Sequence, residues 1–554
     1  MSESAEGAPS ATHGLAMLAG GAILTFLFLI VALSEFGWLL GMPIRGWVLP
    51  AALVGSCLAN GWGARMYFSR PLRARLVVSA LIVILVALSA WTSLRFFDVS
   101  FDGQAYQQEG VYQLAHGWNP FTTRYISPIS TDQNVKLIAF PKGPWMVAAS
   151  MYRLTGHIET GKFANPLLVF SAFCMGLAVL TRTQKRLGGW SAIWAILVAA
   201  NPVAVCQVFT FYVDGQLASL LACVAALCFL SFDDDNPWVN LLVFEASVLA
   251  ILVKFTGLVY VVIFFAGFIA VSAWQKRSLR KPLYVALVAL VMGTIVLGKN
   301  PYVDNTVENG HPFYPFFGTG DFAKITMVRT TPPAYFEANR VANLAASIFS
   351  RTRTWPPQST LKAPWQIDRD EWSAFSEPDV ITGGFGPLFA VALVLSLLLL
   401  AVGMAQRRAA SWLAMAVILV LVGSVLPVSA CWWARYSPQV WLIPLAALAP
   451  LAASAERRIL HGLSWLVLLI LSVNVAGIGI VNFRANRQAT RDTAAALEDL
   501  RSHAPFRVAF GYFHSNRFRL QEAGIPFIEK DGKLNCDPEV KENDDLCVEP
   551  NTHH

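Results

Sequence analysis

Apolar runs recur along the whole chain, from "GLAMLAGGAILTFLFLIVAL" near the N-terminus to "GLSWLVLLILSVNVAGIGIV" shortly before a polar tail. The runs are continuous rather than alternating, and most are too long for buried strands, so they predict helices. A span needs about twenty apolar residues, somewhat fewer inside a bundle. By that measure the pattern predicts about thirteen transmembrane helices. Their centres lie near Leu24, Val54, Val83, Ala172, Leu197, Cys223, Ala246, Phe265, Leu290, Leu395, Ile418, Leu445 and Leu469. Lys254 interrupts one long apolar stretch, which we split into two helices there.

Composition agrees with the pattern. The 554-residue chain is 55% hydrophobic and 14% charged, against roughly a quarter charged in a soluble domain. We therefore expect an all-α polytopic membrane protein embedded in a lipid bilayer. The N-terminal stretch carries no basic residue before the first run, so that run is read as a retained span rather than a cleaved signal. The net charge of +7 calls for no nucleic acid, because Lys and Arg cluster in short loops. Those loops are "RMYFSRPLRAR" at Arg65–Arg75, "RTQKR" at Arg182–Arg186, "KRSLRK" at Lys276–Lys281, Arg407-Arg408 and Arg457-Arg458. With thirteen spans and a cytoplasmic N-terminus all five fall on the cytoplasmic side, as the distribution of positive charge requires. The opposite face then receives two long loops, 96–162 and 300–383, the turns around Asp214 and Arg435, and the tail from 484 onward.

Two copies of Asp-Gly-Gln stand at apolar–polar borders on that outer face, in "FDGQAY" (Asp102) and "VDGQLA" (Asp214). Asp-Gly is also ordinary turn chemistry, so each copy reads either as a turn or as part of a shared polar site. In the first loop, Asp98, Asp102 and Glu109 follow a span end, and "AYQQEGVYQLAHG" fits an amphipathic interfacial helix. A carboxylate partly desolvated at this border is suited to proton abstraction. "FPKGPWMVAASMYRLTG" is short for a span and fits an interfacial or re-entrant helix. Lys142 at its start either binds an anion or snorkels. Asp214 and Lys254 are too costly to leave facing lipid and should line a polar cavity. Arg435, in "CWWARYSPQ", joins them at the outer border. Such a set could activate a nucleophile with carboxylates and hold a phosphate with cations. His311, like His116 and His157, has no metal-ligand spacing. No phosphate-loop, zinc-protease, nucleophile-elbow or dinucleotide motif occurs.

These stretches resemble the GT-C superfamily of integral-membrane glycosyltransferases, over roughly Leu76 to Asn482. "SFDGQAYQQEGVYQLAHGWNP" and "FPKGPWMVAASMYRLTG" are similar to the acidic start and the second interfacial helix of that family's first outer loop. "NPVAVCQVFTFYVDGQ" is similar to its second outer loop, "NGHPFYPFFG" to a Gly/Asn-Pro-Tyr-Pro stretch of bacterial members, and "ARYSPQVWLIPL" to a late arginine-bearing segment. The resemblance implies transfer of a sugar from a polyprenyl-phosphate carrier to a hydroxyl of a glycan, lipid or protein acceptor. It implies a bacterial inner membrane, with the reaction on the outer face and inversion at the anomeric carbon. It assigns Asp102, Asp98 and Asp214 to catalysis. Arg435, Lys254, Lys142, Glu109, Tyr106, Gln104, Tyr212 and His311 are assigned to substrate binding. The first loop lacks an adjacent Asp-Glu pair, which leaves the base open between Asp98 and Asp102. The second lacks Asp-x-Asp, so no cofactor is expected and a divalent metal, though open, has no motif to hold it. Residues 1–75 are read as an added N-terminal hairpin and 76–483 as the transferase core.

Residues 484–554 are expected to form a small periplasmic α/β unit, in the order helix, strand, helix, strand. Cys536 and Cys547, with ten residues between them in an oxidising compartment, are expected to form a disulfide. The other six cysteines read as packing residues. Two rival functions fit parts of the pattern. They are a secondary transporter with an intramembrane Asp214–Lys254 pair and a polysaccharide polymerase or ligase.

Overall fold

The computed structural model describes residues 10–123, 131–183, 188–232, 236–318, 329–451, 458–529 and 546–550. Each of the thirteen expected centres falls inside a helix. Among the described residues, six helices are long and apolar enough to cross a membrane: Ala11–Leu39, Pro71–Leu94, Ile158–Arg182, Asp214–Ser231, Phe255–Trp274 and Arg458–Ser502. A seventh crossing is available if Arg280–Val296 and Lys299–Asn309, bent by 75°, count as one. The chain is thus a mainly helical, membrane-embedded protein.

Helix starts follow local chemistry. Asn201 and Asn236 each accept the backbone N–H of the residue two positions on, at 3.0 and 2.9 Å, and each is followed by proline at the first helical position. This combination presets the backbone and satisfies one of the free N–H groups of the first turn. The expected break occurs at Lys254, which is extended (φ −161°, ψ 151°) between helices Pro237–Val253 and Phe255–Trp274.

Burial separates central from peripheral helices. Within the apolar windows, 83% of Asp214–Ser231 and 78% of Ala11–Leu39 are buried, against 28% of Pro71–Leu94 and 33% of Arg458–Ser502. The latter two expose long apolar faces of the kind that lipid covers. The first helix packs as closely as the central ones. Ser171 Oγ donates to its Gly20 carbonyl at 3.0 Å, Ser56 Oγ to its Ala22 carbonyl at 2.6 Å, and its Thr25 Oγ1 donates to Glu245 at 2.7 Å. The side chains wedge the helix into the middle of the bundle.

The two ends of helix Asp214–Ser231 differ in charge. Arg182, Arg277 and Lys281, from two of the basic loops, donate to the Leu230, Phe232 and Ser231 carbonyls at its C-terminal end. Cations there complement the free carbonyls and the helix dipole. Asp214 sits at the other end, beside the long loops.

The last membrane-crossing helix and the first helix of the tail are one 45-residue rod, Arg458–Ser502, so residue 484 falls inside a helix rather than at a seam. Beyond it, strands β1 (Phe506–Phe510), β2 (Phe527–Glu529) and β3 (Leu546–Pro550) form a sheet in the order β2-β1-β3. β2 is parallel to β1 and β3 antiparallel. Helix Ser515–Glu522 follows β1, and Phe506, Val508, Leu520 and Ile525 make a small separate core. The expected pairing of Cys536 with Cys547 lies outside the described residues.

Candidate functional site

Three aspartates from three distant segments converge on one guanidinium. Arg435 donates from Nε to Asp214 Oδ2 (2.9 Å), from Nη1 to Asp379 Oδ2 (2.7 Å) and from Nη2 to Asp102 Oδ2 (2.8 Å). Lys254 Nζ donates to the second Asp214 oxygen at 2.5 Å. The break at Lys254 brings that ammonium to the head of the Asp214 helix. Tyr212 stacks under the guanidinium, 4.5 Å from centroid to Cζ, and the Tyr436 ring lies 3.8 Å from Lys254 Nζ. Three carboxylates face two cations, so the fully ionised cluster carries one negative charge.

Depth differs within the cluster. The Asp214 side chain is fully buried, whereas Asp102 is 17% and Asp379 20% exposed. The site therefore opens on the Asp102 and Asp379 side, with Asp214 at its base. Burial pushes the Asp379 carboxyl up to about 6; Asp102 and Asp214 add to the effect, and Arg435 opposes it. Burial, reinforced by the negative charge of Asp102, raises the Tyr106 and Tyr212 phenols well above their ordinary value. Both stay protonated and available as donors. Burial works against the Arg435 charge, but Asp214, Asp379 and Asp102 together hold its pKa above the usual range.

Asp102 stands immediately before an unusual turn. Residues Gly103–Gln107 form one wide π-helical turn before helix Gln108–Ala115, a feature frequent at functional sites. Asp98 supports this turn from behind and does not touch the cluster. It is fully buried, and its carboxylate accepts the Ser100 N–H (2.8 Å) and the Phe211 N–H (2.7 Å). Burial raises its pKa, against the pull of nearby Lys162. Asp98 thus ties the loop after helix Pro71–Leu94 to the segment that carries Tyr212 and Asp214.

Other expected site residues are placed elsewhere. The Lys142 ammonium spends all three donors inside the protein, on the Ile138 and Phe140 carbonyls (2.8 and 3.0 Å) and on Asn300 Oδ1 (2.6 Å). Burial pushes its pKa down to about 7. This lysine neither snorkels nor offers a free donor to an anion. Gln104 donates to the Val99 carbonyl at 2.9 Å, and Glu109 accepts from Gln113 at 2.6 Å; both face the tail. His311 accepts the Phe313 N–H through Nδ1 at 3.0 Å and packs among Phe313 and Phe317. Asp379 was not expected. Its signal was an acidic residue in "SEPDVITGG", just ahead of an apolar run.

Among the described residues, no group of three His, Cys, Asp or Glu is arranged to hold a metal ion. The crevice shared by Asp379 and Arg435 has room for about 10 Å³, about one water. A groove of about 680 Å³ runs along Asn339–Ala345 and Leu426. Across it Arg340 donates to the Leu426 and Pro427 carbonyls (3.0 and 2.9 Å), just past the end of helix Ala409–Val425. No protein-family model matches the chain, and no curated protein sequence matches it. The functional reading therefore rests on the resemblance of the sequence stretches together with this geometry.

Proposed function

We propose that this protein is a membrane glycosyltransferase of the GT-C kind, moving a sugar from a polyprenyl-phosphate carrier to an acceptor hydroxyl at the outer face of a bacterial inner membrane. The observation that carries the reading is Arg435. It is a nearly buried guanidinium held by carboxylates from three distant segments. Such a fork suits a phosphate oxygen pair.

In this reading Asp102, partly exposed and at the mouth, takes the proton of the acceptor hydroxyl. The hydroxyl oxygen forms its bond to the anomeric carbon as the bond from that carbon to the phosphate oxygen breaks. The electron pair leaves with the polyprenyl phosphate, and a single displacement inverts the centre. Arg435 and Lys254 face the growing phosphate charge, where preorganised cations contribute most to rate. Asp214 holds both cations in place, and the Tyr106 and Tyr212 hydroxyls orient the sugar. Asp379, with its raised pKa, gives up its bond to Arg435 most easily when the phosphate arrives.

The same reading takes thirteen crossings, with the basic loops in the cytoplasm and the tail forming a periplasmic appendage. The test is transfer of labelled sugar from a synthetic polyprenyl-phosphate sugar by purified protein in proteoliposomes. Transfer that is lost in Arg435→Ala supports the proposal. Solute uptake coupled to an ion gradient, with no transfer to any acceptor, would replace it with the transporter.

A further inference from the structure

Helix Ser515–Glu522 and the two aromatic residues Tyr512 and Phe513 ahead of it meet the first outer loop on both flanks of Asp102. Next to the aspartate on one side, the Phe101 ring packs against Tyr512 (centroids 5.2 Å apart) and edge-on to Phe513 (5.5 Å). Two residues along on the other side, Gln104 Oε1 accepts from Arg519 Nη1 at 2.9 Å. Arg519 Nη2 donates to the Asp98 carbonyl and lies 3.8 Å from Glu159. Its guanidinium also sits over Phe97, with Cζ 5.7 Å from the ring centroid. The arginine side chain is only 5% exposed.

Further contacts fix the helix against the same loop. Phe518 stacks on Tyr112 at 4.2 Å, and Arg517 lies 3.9 Å from Glu109. Glu522 accepts the Ile158 N–H at 2.8 Å and lies 3.5 Å from His157. A guanidinium buried this deeply is a poor choice for stability alone, because apolar packing of the same volume does as well or better. Its value lies in direction, since a planar fork fixes several acceptors at once. The acceptors here are the backbone and side chain of the segment that aims Asp102.

We propose that Arg519 is a positioning residue for Asp102, and that the C-terminal unit is a structural part of the site rather than an accessory to it. Arg519 clamps Asp98 and Gln104, the clamp holds the wide turn at Gly103–Gln107, and the turn holds the Asp102 carboxylate against Arg435. The catalytic consequence rests on the transferase reading; the positioning itself does not.

The experiment compares wild type, Arg519→Ala and Arg519→Lys as full-length protein in proteoliposomes, by amide hydrogen exchange and by kinetics. Arg519→Ala should speed exchange in residues 98–107 by roughly tenfold or more while residues 214–231 keep their protection. Its kcat should fall roughly tenfold or more with KM for the lipid donor unchanged, because misplacing a reacting group costs turnover rather than donor affinity. Arg519→Lys should recover part of both. Where Arg519→Ala loses protection throughout, Gln104→Leu removes one clamped acceptor without touching the tail and should loosen 98–107 by about threefold. Unchanged exchange at 98–107 in a folded Arg519→Ala, or in Gln104→Leu, overturns the proposal. Looser 98–107 in a protein that transfers no sugar even as wild type keeps the clamp and removes the transferase.

Discussion

The tripeptide Asp-Gly-Gln occurs twice, and both aspartates end on the same guanidinium. Asp102 arrives from a loop and keeps some solvent contact; Asp214 heads a buried helix and has none. The glutamines brace two different surroundings. Gln104 links the Val99 carbonyl to Arg519. Gln216 donates to Asn165 Oδ1 at 2.8 Å, and Asn165 in turn donates to the Thr210 carbonyl at 2.8 Å. Identical residues thus reach one point by different supports. Depth, not local sequence, separates a carboxylate open to solvent from one enclosed with its cations.

The sharpest way to break that comparison is to delete each carboxylate. Asp214→Ala takes the fully buried carboxylate that Arg435 and Lys254 share. We expect a loss of about 3–5 kcal/mol, the usual cost of removing one partner of a buried ion pair, seen as a lower unfolding midpoint in detergent. Asp102→Asn keeps the shape at a partly exposed position, so the midpoint should hardly move. Sugar transfer should nevertheless slow at least ~100-fold, the scale for losing a general base. Equal loss of stability in the two variants would erase the distinction between them.

A milder effect follows from Asp379, whose pKa of about 6 lies above the ordinary 3.8. Below pH 6 this carboxyl is neutral and the cluster loses its excess negative charge. Affinity for a polyprenyl phosphate should then strengthen as pH falls through 6, by at most about tenfold per unit for one proton. Asp379→Asn should flatten that dependence. For stability, the native state holds the extra proton between about pH 4 and 6. The Asp379 contribution therefore falls as pH rises through that window and is constant above it. The pH dependence of donor binding and of the unfolding midpoint check the two statements.

The glycines give the smallest contrast. A Cβ at Gly103 would lie 2.0 Å from Asp98 Oδ2, a carboxylate already fixed by two N–H groups, whereas one at Gly215 would lie 3.0 Å from Ala204 Cα. Gly103→Ala should therefore cost about 1–3 kcal/mol, in the range of overpacking. Gly215→Ala should cost less. The ranking is read from the two unfolding midpoints.

Much of this was legible in the sequence. The helices, the break at Lys254, the short helix Gly143–Thr155 and the meeting of Asp102, Asp214, Lys254 and Arg435 follow from apolar periodicity and the cost of unpaired charge in lipid. What escaped depends on contacts that no local pattern encodes. Arg435 meets Asp214 across 221 residues and Asp102 across 333. Asp379 lies in a loop region with no period to place it. Lys142 looked available because its acceptors are backbone carbonyls and an asparagine 158 residues away. Arg519 sits in a tail that composition sets apart, although packing joins it to the first loop.

That joining depends on the rod Arg458–Ser502. At 1.5 Å per residue it is roughly 67 Å long, about twice the hydrocarbon thickness of a bilayer. Along it, Asn474 donates to the Phe385 carbonyl, Asn482 to the Phe375 carbonyl, and Thr490 Oγ1 accepts the Phe97 N–H. Each of these anchors fixes the rotational phase of the helix as well as its height. One residue added between Thr490 and Ser502 would turn everything beyond by about 100° and point Arg519 away from the loop. Seven added residues would nearly restore the bearing while lifting the sheet by about 10 Å. The rod therefore works as an angular gauge, and the aim of Asp102 is set in part by a count of residues made far from it.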